Sequence, residues 1–262
     1  MPEGAREQGR LGWSELAAAV ISELRATDTR EALEALVGSI TREMGFRYYV
    51  LAHHADLTNA STKLVDLRAY PEAIFDRLAT GQRFRRDPVV RACLYAGGAF
   101  LWSDLDTFVD LTGHDRAILE AGAHEGLNEG ITVPYTRLGD HMGSCTFAGT
   151  AHPEQAHHYL GTAQMLGIFA FQAALRLTSG GGFRLANHPR LHPRPRDCVV
   201  LAGRGYSNKE IARALDLAPR TVDGYLTEAR RLFGAHDRTE LVVSAVLAGE
   251  VDLAEIARRQ PE

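Results

Sequence analysis

Cysteine is scarce in this chain: the 262 residues hold only Cys93, Cys145 and Cys198, and none stands in C-x-x-C spacing. A sparse, odd count fits reduced thiols and argues against a disulfide framework or a thiolate metal site. Long apolar runs are missing too. The nearest, ELAAAVISELR, is bracketed by charges before it is long enough to span a bilayer, and the polar start MPEGAREQGR leads into no such run. The expectation is a soluble cytoplasmic chain with no membrane partner. There is no Gly-rich phosphate loop, nucleophile elbow or zinc-protease helix, and no paired general acid and base, so neither an enzyme nor a cofactor is expected. The pairs His53-His54 and His157-His158 lack a third ligand at fixed spacing and read as surface or satisfied histidines, not a metal site. Nor is there an excess of positive charge; the formal balance is −4, which announces no nucleic-acid partner.

What is present divides the chain in two. TSGGGFRLANHPRLHP, from Thr178 to Pro193, combines three consecutive glycines with two prolines and has neither helical nor strand periodicity. It reads as a linker (178–192) between a large domain (1–177) and a small one (193–262). In the large domain, helices are expected at Ser14–Ala26 and Thr29–Met44, and strands in RYYVLAHH and KLVDLRAY. ITVPYTRLGDHMGSCTFAG reads as two strands joined around Gly139-Asp140, and a helix over Pro153–Leu177 closes the domain. Helices flanking an antiparallel sheet imply an α+β fold, an α-β-α sandwich able to enclose a small-molecule pocket.

The small domain contains SNKEIARALDLAPRTVDGY. Ser207 followed by Glu210 is a capping box, and Pro219 starts a second helix that turns Val222, Leu226, Ala229 and Phe233 inward. Arg220, Thr221, Asp223, Arg230 and Arg231 lie on its other face. Two helices joined by a short turn, the second bearing arginines, describe a helix-turn-helix. Arg220 and Thr221 stand where base edges are read, and Lys209, Arg230 and Arg231 where phosphates are met. Residues 190–250 hold ten Lys/Arg against eight Asp/Glu, a balance of +2, which helps this reading only slightly. A helical bundle with a solvated charged face also satisfies the capping and spacing. In RTELVVSAVLAGEV the face of Leu241, Val242, Ala245 and Val246 either packs within its own domain or meets a second copy.

The stretch AGRGYSNKEIARALDLAPRTVDGYLTEARRLFGAHDRTELV resembles the four-helix DNA-binding domain of LuxR-type regulators. The match lies at Gly205, Ser207, Glu210-Ile211-Ala212, Arg220-Thr221-Val222 and Leu226. Two positions depart from that family. Pro195 replaces a glutamate, removing an ion pair that orients the first helix, and Ala218 replaces the serine before the recognition helix, a lost cap costing about 1 kcal/mol.

LuxR-type output domains follow several kinds of input. A phosphoacceptor receiver is disfavoured, because Lys63 is the only lysine before residue 200 and no acidic pair ends the first strand. The first domain instead resembles the acyl-homoserine-lactone-binding domain of quorum-sensing receptors, through Tyr70, Asp87-Pro88-Val89, Trp102, Gly130, Pro134 and Thr146. The resemblance implies that Asp87 accepts from a ligand amide, that Tyr70 and Thr146 donate to carbonyls and that Trp102 forms an apolar wall. Asp87 can equally cap a helix starting at Pro88, and Trp102 and Gly130 can be core and turn residues. Where the family has a donating tryptophan and a pocket tyrosine, this chain has Ile74 and Leu78, neither of which can donate. An unmet buried carbonyl costs about 1–3 kcal/mol, so the resemblance implies a ligand that is acyl-homoserine-lactone-like or atypical. The expected function is a DNA-binding transcriptional regulator, a homodimer on a two-fold-symmetric double-stranded operator. The alternatives are a ligand-independent regulator, its pocket filled by Ile74 and Leu78, or a protein that titrates related subunits.

Overall fold

The computed structural model describes residues 8–55, 64–72, 74, 84–138, 140–178 and 189–257. Leu78, Gly139 and most of the expected linker lie outside these residues. The chain divides into two compact units, Met1–Phe183 and Arg184–Glu262.

In the first unit, α1 (Gln8–Ala26) and α2 (Arg30–Glu43) lead into β1 (Phe46–His53) and β2 (Asp66–Ala69). Thr29 caps α2 by accepting from the Ala32 amide, and Leu33, Val37 and Ile40 recur at helical spacing on its buried face. Then come α3 (Pro88–Ala92), the short β3 (Phe100–Leu101), a 3-10 helix (Trp102–Thr107), α4 (Gly113–His124) and the strands β4 (Gly130–Tyr135) and β5 (Gly143–Thr150). The closing helix departs from expectation. Pro153–Tyr159 is a 3-10 helix, and the α-helix, α5, runs over Leu160–Thr178. His152 makes no side-chain cap, and an uncapped start is often met by the tighter i→i+3 bonding.

The five strands form one antiparallel sheet in the order β2-β1-β5-β4-β3. Its central strand, β5, is buried along its whole length. Alternation divides the sheet between two environments. Tyr49 and Leu51 of β1, Cys145 and Phe147 of β5, and Ile131 and Val133 of β4 join α1, α2 and α5 in the main core. Gly167 of α5 sits so close to the sheet that an added Cβ would lie 2.9 Å from Val133 Cγ2. The opposite face, with Val50, Ala52, Ser144 and Thr146, looks toward α3 and α4.

In the second unit, α6 (Pro193–Gly203), α7 (Asn208–Leu215), α8 (Pro219–Phe233) and α9 (Arg238–Leu247) close around Cys198, Ile211, Val222, Leu226 and Leu241. A short α10 (Leu253–Ala257) follows. The ion pair that Pro195 removes has a local substitute, since Arg196 bonds Glu255 at 2.6 Å and the Glu250 carbonyl at 2.8 Å. On α9, Leu241, Ala245 and Val246 pack into their own domain, while Val243 and Leu247 remain exposed.

Candidate functional site

A cavity of about 610 Å³ opens on the sheet face turned away from α1, α2 and α5. Val50 and Ala52 from β1 and Ser144 and Thr146 from β5 form its floor; Val89 and Val90 of α3 and Ala117, Ile118 and Ala121 of α4 form its walls. Tyr70, Ile74, Asp87, Trp102 and Thr146 all line it, so the structure gathers every described residue expected there into one space. α4 was not anticipated. It starts at a capping box in which Thr112 and Asp115 exchange hydrogen bonds, and Asp115 also takes a 3.0 Å bond from Arg91 of α3. Burial works against the Asp115 charge, but the bonds from Thr112 and Arg91 hold its carboxyl below the usual range.

Asp87 both caps a helix and lines the cavity. Its Oδ1 accepts from the amides of Val89 at 2.9 Å and Val90 at 3.1 Å, and its Oδ2 takes no bond from the described residues. Burial pushes this carboxyl up to about 6, against the pull of the two amides. Burial, and then the Asp87 charge, raise the Tyr70 hydroxyl above its ordinary value, so it stays protonated and able to donate.

Trp102 is held from three sides. The carboxylate of Glu129, a buried residue, accepts from the Trp102 amide at 3.0 Å, from Ser103 at 3.3 Å and from its neighbour Gly130 at 2.8 Å. The indole lies directly on Gly130, where an added Cβ would meet Trp102 Cε2 at 2.7 Å. Its Nε1 donates to Thr132 Oγ1 at 3.0 Å, and Thr132 shares a hydrogen bond of 3.0 Å with Thr146. The tryptophan is therefore an apolar wall whose polar edge is already used to orient Thr146. Glu129 and Thr132 carried no signal of their own, since their partners come from the 3-10 helix after β3, from β4 and from β5 together.

The histidine reading divides. His157 and His158 are exposed and pack ring on ring at 3.9 Å. His53 and His54 are not surface groups: both line the cavity, and His53 Nε2 and His54 Nδ1 are buried with no hydrogen-bond partner among the described residues. His53 Nδ1 accepts from the Val65 amide at 3.0 Å, and His54 Nε2 shares a 2.9 Å bond with Ser144 Oγ. Burial, then the charge of His53, pushes His54 down to about 4. Alternating burial could not have signalled this, because both histidines sit where β1 runs out and their partners come from distant segments.

In the second unit the Ser207–Glu210 capping box forms, with the Ser207 amide donating to Glu210 at 2.7 Å. α7 ends at Asp216 in the left-handed region (φ 53°), which turns the chain sharply toward α8. α8 then directs Val222, Leu226 and Ala229 inward. Lys209, Arg220 and Arg231 are exposed; Thr221 and Arg230 are half-buried, and Arg230 donates to Thr227 at 3.1 Å. Ala218 stands at the N-cap of α8 without a side-chain bond. Ala218→Ser should therefore stabilise the protein by about 0.5–1 kcal/mol in denaturant unfolding, and a midpoint equal to wild type would show the cap site already satisfied.

A mostly apolar cavity with a few convergent polar groups, on the same chain as a helix-turn-helix, defines a regulator that couples a small-molecule site to a DNA-reading module. Residues 29–174 match the autoinducer binding domain, and residues 190–245 match the bacterial regulatory proteins of the luxR family. The chain belongs to the LuxR-type autoinducer-binding regulators. It is similar to the transcriptional activator protein BjaR1 of Bradyrhizobium diazoefficiens, 24% identical over 222 residues, which are 85% of this chain and 88% of that one. It is also similar to y4qH of Sinorhizobium fredii, 24% identical over 201 residues; these cover 76% of this chain and 61%, less than two thirds, of that protein. Among solved structures, Escherichia coli SdiA shares the fold with a TM-score of 0.57 at 18% identity, covering 91% of this chain and 98% of SdiA.

Proposed function

We propose that the cavity is the receptor site for an amide-bearing, acyl-homoserine-lactone-like signal, and that a homodimer of this chain reads a two-fold-symmetric operator in the cytoplasm. The placement of Asp87 carries the reading: it lines the cavity and its Oδ1 is engaged by the α3 cap, which leaves the other oxygen to accept from a ligand N–H. Tyr70 and Thr146 donate to carbonyls of the same ligand, and Ile74 offers an aliphatic surface in place of a donor. The open volume of about 610 Å³ favours a bound ligand over a pocket filled by its own side chains. Lys209, Arg230 and Arg231 meet phosphates, and Arg220 and Thr221 reach base edges. The exposed Val243 and Leu247 of α9 supply an apolar strip for the second copy.

The test is thermal unfolding of the full chain, purified from a host that makes no such signal, with short, long, branched and aryl acyl-homoserine lactones. A ligand at 100 times its Kd adds about 2.7 kcal/mol, a midpoint rise of roughly 5–10 °C for a domain of this size. A folded, DNA-binding protein whose midpoint moves with none of them would sink the receptor reading.

A further inference from the structure

The cavity contains a second polar centre that the Asp87 cluster does not use. Ser144 lies opposite Ala52 in the β1–β5 register, two residues from Thr146 and on the same face of β5. Two residues of strand place it roughly 7 Å farther along the floor. The His54 ring reaches over from the end of β1, held by its own amide, which donates to the Met142 carbonyl at 2.7 Å. Its Nε2 shares the 2.9 Å bond with Ser144 Oγ, and its Nδ1 has no partner among the described residues. The thiol of Cys93, on the turn after α3, donates to the Val89 carbonyl at 3.3 Å. Beside the dyad the floor is apolar, lined by Val50 and Ala52, with Val89 opposite. An alkyl tail laid there would leave Ser144 and His54 with unused hydrogen-bonding capacity, whereas a polar group would use it.

We propose that Ser144 and His54 form a second ligand subsite, which selects signals carrying a neutral hydroxyl group roughly 7 Å beyond the carbonyl bound at Thr146. The proposal rests on the reading of the cavity as the signal site and adds a feature of the signal's tail. A hydroxyl both donates and accepts, so it completes a serine–imidazole pair in either imidazole tautomer. Burial keeps the ring uncharged near neutrality, and Cys93, pushed up to about 12 by burial, is a neutral thiol. Neither offers a cation to a carboxylate, which would enter unpaired and at high cost. The length available between Thr146 and Ser144 suits a ring-borne hydroxyl, and the aliphatic surfaces between them would cover the ring.

Calorimetric titration of the full-length protein with phenylacetyl- and 4-hydroxyphenylacetyl-homoserine lactone tests the subsite. The wild type should bind the hydroxylated probe about tenfold or more tightly than the bare one, because a site built to hydrogen-bond a hydroxyl discriminates against the analogue lacking it. Ser144→Ala should bring the ratio close to one by weakening only the hydroxylated probe. His54→Phe should do the same and supplies the readout if Ser144→Ala melts early. Equal affinities in the wild type, or a preference that survives both substitutions, would overturn the subsite while leaving the receptor reading in place. Binding of neither probe would overturn the receptor reading, and the subsite with it.

Discussion

Asp87→Asn should abolish ligand-dependent stabilisation while leaving the unliganded protein as stable as the wild type, or more so, above about pH 6. The two effects come from the two oxygens. Oδ1 serves the amides of Val89 and Val90, and an asparagine oxygen can do the same, so α3 keeps its cap. The other position changes from an acceptor to an NH2 donor facing the ligand N–H. Losing a charge-assisted bond worth about 1.5–3 kcal/mol and gaining a donor–donor clash should weaken binding by about a hundredfold or more. For stability the sign is the reverse. The folded carboxyl titrates at about 6, above its ordinary 3.8, so it binds its proton more tightly in the folded state than in the unfolded one. Its contribution to stability is complete below the unfolded value and is lost as pH rises through about 6. Asparagine never ionises, so the variant should lack that decline. Asp87→Ala, in contrast, should lose the ligand response and about 1 kcal/mol through the missing cap. Melting curves at pH 5 and pH 7.5, with and without ligand, separate these cases. An Asn variant that still shifts like wild type would remove Asp87 from the ligand's contacts.

How much of this was legible from sequence depended on the distance between partners. The Asp87 and Ser207 caps lie within three residues of what they bind, and short spacing reveals them. The α4 box is equally local but uses Asp115 where Glu or Gln is the usual signal, and the apolar periodicity behind Gly113 is weak, so the helix was missed. The relay from Trp102 through Thr132 to Thr146 joins three segments, and the bond between His54 and Ser144 spans 90 residues; both exist only once the strand register is set. Composition places no histidine next to a serine so far away. On α9 the apolar residues run almost continuously, so periodicity left the inward face open, and packing against α6 and α8 turned Val243 and Leu247 outward.

The second large effect is expected at DNA, where the proposed homodimer would make every substitution count twice. Arg220 is exposed at the start of α8, immediately after Pro219, where the N-terminus of a helix entering the major groove approaches base edges. If each arginine contributes about 1–3 kcal/mol of base discrimination, Arg220→Ala in both subunits should weaken operator binding by about one and a half to four powers of ten, with little change on random DNA. Lys209 and Arg231 are exposed, and phosphate contacts from them carry no sequence information. Neutralising both should weaken specific and random binding alike, and should lower the salt slope by about four, one unit for each of four lost contacts. Arg230 is a different case, because its guanidinium is already engaged with Thr227 and half-buried; Arg230→Ala should fall between these two patterns. Fluorescence anisotropy on operator and scrambled duplexes across a salt series measures all three. An Arg220 variant that loses equally on both duplexes would move that residue from base reading to phosphate contact, and the operator's sequence would then have to be read elsewhere on α8, with Thr221 the next residue to replace.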